Sequence, residues 1–147
     1  LYNIMTSELR VDNLKGSTTG GSINVLGEGT SATTNLQQGL CKSWVNFNGT
    51  GTPATRDSFN ISSLTDSAQG KIGPVLTNAM SNINFSLCGF TNMTNGDSFY
   101  GGGGFGVGCN EFVTTTTTTF EIVGYAGDSN QYTDGSRQYA QVFGDLA

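Results

Sequence analysis

The side chains best placed to do chemistry in this sequence are five aspartates, three cysteines and a set of loop aromatics. Asp57, Asp66, Asp97, Asp128 and Asp134 fall in loops or at strand ends, where Asp serves turn hydrogen bonds. Two of them brought together would make a glycosidase pair, because carboxylates alone suffice for that reaction. Turn chemistry is the expected role. Histidine is absent, which removes Ser-His-Asp and Cys-His nucleophilic catalysis, imidazole proton transfer near neutral pH and most zinc sites. No DxDxDG calcium loop appears. Composition neither excludes a carboxylate-only enzyme nor supports one, and no metal site or cofactor is expected.

Gly101-Gly-Gly-Gly-Phe-Gly106 satisfies G-x-G-x-x-G. That fingerprint signifies dinucleotide binding only after a strand, before a helix and with an acidic residue about 20 positions on. Here a Thr-rich strand follows and no lysine lies nearby to serve a P-loop, so the segment reads as a long loop from 91 to 109. Loops of that length tend to be functional. Asp97, Phe99, Tyr100 and Phe105 within it, with Tyr132, are the candidate receptor or glycan contacts. Aromatic faces there can stack on sugar rings, bury at a subunit contact or fold back over the end of the domain.

Cys41, Cys88 and Cys109 are odd in number and lack CxxC spacing, so they are read as free structural thiols. Four N-x-S/T sequons, at Asn48, Asn60, Asn84 and Asn92, are close to the about three that this much Asn, Ser and Thr gives by chance, and they carry no weight. No apolar segment of signal-peptide type opens the sequence, and Met5 resembles a natural start.

The elements that must position these groups are strands. Gly, Thr, Ser and Asn supply 70 of the 147 residues, charged residues are 12%, and the net charge is −5. That balance argues against nucleic-acid binding, which needs clustered Lys and Arg. No apolar run reaches the roughly 18–20 residues of a membrane span, so no membrane insertion is expected. Apolar residues at 35% and aromatics at 10% still supply a core. The fold class is all-β: an antiparallel β-sandwich with a short N-terminal β-rich oligomerisation or attachment segment.

Two regions differ in texture. Residues 1–38 hold two short alternating pieces, 8–14 and 22–26, amid polar, Gly-rich text, and cannot build a core alone. They are expected to act as an attachment or stalk segment. Val11, Leu14, Ile23 and Val25, joined by Trp44, are the candidate oligomer interface. Residues 39–147 read as the sandwich, or knob, with breakers every eight to twelve residues. Leu40–Phe47 alternates, with Cys41, Ser43, Val45 and Phe47 on one face. Ser58–Leu64 reads as one strand, followed by a hairpin loop over 65–70. Lys71–Thr77 contains Pro74, which restricts it to an edge or a bulge. Ile83–Phe90 alternates cleanly, and the threonine run within 112–123 favours extended backbone. Tyr139–Phe143 is the last strand, with Tyr139, Gln141 and Phe143 opposite Ala140 and Val142. Asn35–Gln38 and Ser81–Ile83 are candidate single helical turns.

The stretch Lys42-Ser-Trp-Val-Asn-Phe-Asn-Gly-Thr-Gly-Thr52, continued by Arg56-Asp-Ser-Phe-Asn-Ile-Ser-Ser-Leu-Thr-Asp66, resembles a domain of marine bacteriophage tail-fibre-like virion proteins. Thr77–Phe85 and the tail from Phe120 to Phe143 look similar as well, and Ser7–Leu14 is similar to a short β piece upstream of that domain. The segment Gly70–Leu76 and the Gly-rich insert at 94–108 depart from its pattern. The resemblance implies a non-enzymatic structural protein of the virion, a homotrimer held to other virion proteins of tail or capsid. It also implies attachment to a host-surface glycan or outer-membrane receptor. A head decoration is the neighbouring reading, and a soluble carbohydrate-binding module is a reading of a different class.

Overall fold

In the computed structural model the described residues are 8–27, 29, 31–92, 103–104, 116–126 and 131–147. The chain forms two compact units, Leu1–Gly39 and Leu40–Ala147. The first carries a hairpin, β1 (Asn24–Leu26) against β2 (Thr33–Asn35), followed by one helical turn, α1 (Leu36–Gly39). Asn35 caps that turn by accepting the Gln38 N–H at 3.2 Å, as a short polar side chain does at a helix start. Residues 8–14, expected as an alternating strand, pair with nothing among the described residues.

The second unit is all-β and antiparallel. Its strands are β3 (Ser43–Asn48), β4 (Ala54–Phe59), β5 (Ile61–Ala68), β6 (Lys71–Leu76), β7 (Ser86–Asn92), β8 (Gly103–Gly104), β9 (Ile122–Val123), β10 (Tyr125–Ala126), β11 (Gln131–Tyr132) and β12 (Arg137–Phe143). They form a four-stranded sheet in the order β4-β3-β12-β7, a three-stranded sheet β5-β6-β9, and a small sheet β11-β10-β8. Val45 and Phe47 of β3 with Ala140 and Val142 of β12 meet Ile72 and Leu76 of β6 and Ile122 of β9 in one buried cluster, which Phe120 and Met80 complete. This is sandwich packing: alternate residues of each sheet turn inward and leave the others on the outer face.

Chain order is resolved at one residue. Ser58–Leu64 is not a single strand; it breaks at Asn60, which is left-handed at φ 60° and passes the chain from the first sheet to the second. Asn tolerates this conformation better than most residues, and here its amide secures the corner. Nδ2 donates to Lys42 O at 3.0 Å and Asn78 O at 3.2 Å, while Oδ1 accepts the Asn78 N–H at 2.7 Å.

Three further expectations change. Pro74 lies in the central strand of its sheet, not at an edge. Pairing between β6 and the β9 side lapses after Ile72↔Ile122 and resumes at the bridge Val75↔Thr119, so the missing N–H falls where the ladder is interrupted. The threonine run does not stay extended in its described part. Thr116 Oγ1 accepts the N–H groups of Thr118 and Thr119 at 3.1 and 3.0 Å, closing a hydroxyl-supported turn, because Thr side chains compete with ladder bonding. The strand read at Ile83 begins only at Ser86, leaving Ile83 exposed and Phe85 packed against the core. Its first residues instead form a bend supported by Asn82 Oδ1, which accepts the Asn84 N–H at 2.8 Å.

The hairpin between β5 and β6 is tighter than the expected loop, since β5 runs to Ala68 and only Gln69 and Gly70 turn. Gly70 has φ +70°, and a Cβ there would come within 2.6 Å of Thr133 N and 2.7 Å of Gly124 O. Only glycine fits.

Candidate functional site

Strand register builds an aromatic surface on the outer face of the four-stranded sheet. Residues 43, 45 and 47 of β3 turn inward, so Trp44 and Asn46 turn outward. The same alternation sends Tyr139 and Gln141 of β12 outward. Cross-strand pairing sets these side chains in two rows. Phe59, Trp44, Gln141 and Cys88 form one, and Asp57, Asn46, Tyr139 and Phe90 form the next. Phe59 is 51% exposed, Phe90 56% and Tyr139 39%, with Trp44 half-buried. Each row therefore mixes rings with planar hydrogen-bonding groups. Asn46 Oδ1 is buried and accepts no hydrogen bond.

A second polar cluster gathers around the β5–β6 turn. Lys71 Nζ sits 4.6 Å from the centre of the Tyr132 ring, a cation–π contact. Asp134 Oδ1 accepts the Gly70 N–H at 2.6 Å, and Gly70 O accepts from Gly124 N at 2.7 Å. Glu121 is 3% exposed and its Oε1 has no hydrogen-bond partner. Burial pushes its carboxyl above the ordinary glutamate value, and the Lys71 charge partly opposes the shift. So shielded a carboxyl meets no substrate, and the cluster reads as a structural junction.

The sequence-derived candidates distribute as follows. Tyr132 lies on β11 and is exposed beneath Lys71. Asp97, Phe99, Tyr100 and Phe105 lie outside the described residues, as do Asp128 and Cys109. Asp57 is exposed on β4, Asp66 is on β5 and Asp134 is committed to the Gly70 amide. Val11, Leu14 and Val25 are exposed and Ile23 partly so, all in the first unit, whereas Trp44 belongs to the second. Arg56 donates to Phe47 O at 2.9 Å and Ser136 O at 2.8 Å, so it brackets the β-bulge at Asn46/Phe47.

Cys41 and Cys88 carry free thiols, and Cys41 Sγ donates to Ser43 O at 3.0 Å. Among the described residues no group of three or more Cys, Asp or Glu could hold a metal ion, and no helix is long and apolar enough to cross a membrane. Sequence reading missed the aromatic face and Glu121. The alternation that turns Trp44 and Tyr139 outward was visible, but their adjacency depends on register between strands far apart in the chain. Comparison with protein-family profiles, curated proteins and solved structures finds no match to this chain.

Proposed function

We propose that this protein is a non-catalytic structural component of a bacteriophage particle, a homotrimer assembled through its N-terminal unit and serving host-surface attachment. The observation that carries the reading is the surface of that unit. Leu9 is 74% exposed and Leu26 62%, Val11, Leu14 and Val25 are about half exposed, and no described residue of the unit is buried. Burying five such side chains would contribute on the order of 10 kcal/mol before ordering costs. A folded monomer leaves that stabilisation unused, and neighbouring copies around a threefold axis would supply it with a closed, self-limiting geometry. The likeness of 42–66 to tail-fibre-like virion domains supports the particle assignment, and a head decoration is the same reading at another place on the particle.

Sedimentation of the full chain tests the assembly. A trimer is expected, and the triple variant Val11→Ser, Leu14→Ser, Val25→Ser should fall to monomers with its sandwich intact. A wild-type chain that stays monomeric at high micromolar concentration would overturn the reading.

A further inference from the structure

We propose that the outer face of the four-stranded sheet is a binding platform for a neutral polysaccharide. The chemistry of its side chains argues for that ligand. The ring faces of Trp44, Phe59, Phe90 and Tyr139 carry partial negative charge and attract the polarised C–H bonds on the flat side of a pyranose. Asp57 and Gln141 stand beside the ring pairs Phe59–Trp44 and Tyr139–Phe90 in these two rows, where carboxylate and amide groups can bond hydroxyls as the rings hold the sugar. Apart from Asp57, the two rows contain no charged side chain. Arg137, exposed on the same face of β12 one place beyond Tyr139, balances Asp57, so the face carries no net charge to select a polyanion.

Size decides between a glycan and a protein partner. Four strands about 4.8 Å apart and two rows about 7 Å apart give the patch a footprint on the order of 300 Å². A stable protein interface needs about 800 Å² from each partner. A stretch of a few sugar units fills the smaller area. The proposal does not depend on the trimer proposed above, since every residue it uses lies in one sheet of one chain.

Trp44 is the only tryptophan, so the emission of the full-length protein reports directly from this face. Titration with hydroxyethyl cellulose and with galactomannan, both neutral, should shift that emission to the blue. It should also lower acrylamide quenching at least twofold, while anionic alginate leaves both unchanged. Phe90→Ala and Tyr139→Ala should each weaken the response at least tenfold with an unchanged unfolding transition, and the more exposed Phe90 keeps the test valid if Tyr139→Ala fails to fold. Three results would overturn the proposal: no protection by either neutral polymer, an equal response to alginate, or binding indifferent to both substitutions. Protection that grows with protein concentration in the absence of polymer would also overturn it, since a second copy would then cover the face. Sedimentation reads the trimer separately, so either idea can fail alone.

Discussion

The two units of this chain handle apolar side chains in opposite ways. In the sandwich, Phe47, Ile72, Ile122 and Val142 are fully buried between sheets. In the N-terminal unit Leu9, Val11, Leu14, Val25 and Leu26 all face outward around a three-residue hairpin and one helical turn. The difference teaches where folding free energy resides. One unit carries a core of its own, and the other buries no side chain among its described residues.

Phe47→Ala gives the sharpest test of that contrast. It empties the centre of the core and should cost about 3–5 kcal/mol in denaturant unfolding, whereas a loss below 1 kcal/mol would mean the sheets are not tightly packed. Gly70→Ala comes next, at about 1–3 kcal/mol, because a left-handed backbone and two close backbone atoms oppose a side chain there. Asn60→Ala should cost a similar or slightly smaller amount, about 1–2 kcal/mol, as the corner loses its bonds to Lys42 and Asn78; thermal melts will rank the two.

Glu121→Gln tests the buried glutamate. Its folded-state carboxyl holds the proton more tightly than an unfolded one, so the native state binds more protons and stability falls as pH rises above the ordinary glutamate value. The glutamine variant should gain stability at neutral pH and lose that part of the pH dependence, as melts at pH 4 and pH 8 would reveal. The smallest effect belongs to the other unit. Leu14→Ser should move sandwich stability by less than about 0.5 kcal/mol, and a larger change would erase the contrast between the units.

Much of the sandwich was legible in the sequence because β3, β6 and β12 each turn alternate residues into the core. Ser43–Phe47 and Tyr139–Phe143 alternate with the burial the structure displays, whereas the strand read from Leu40 begins only at Ser43, and Lys42, expected on the outer face, is buried. Three features escaped for separate reasons. The corner at Asn60 resides in one residue's φ angle within text that alternates straight through it. Pro74 sits inside a sheet because its ladder is locally interrupted, a fact about the neighbouring strand and not about proline. The aromatic face needed Trp44 and Tyr139 on adjacent strands, and pairing between residues so distant in sequence leaves no mark on local spacing. Along the chain alone the nearest visible cluster is the set of loop aromatics.

The place of β12 has a consequence for synthesis. It lies between β3 and β7 and supplies Ala140 and Val142 to the core, and Val142 O also accepts the Lys42 N–H at 2.8 Å. A ribosome therefore releases both flanking strands long before the element that joins them exists. Until then each presents an unpaired edge and a bare apolar side to the cell, an interval in which nascent copies crowded on one message can capture each other's strands. Slowing translation ahead of residue 137 should lengthen that interval and raise the insoluble fraction.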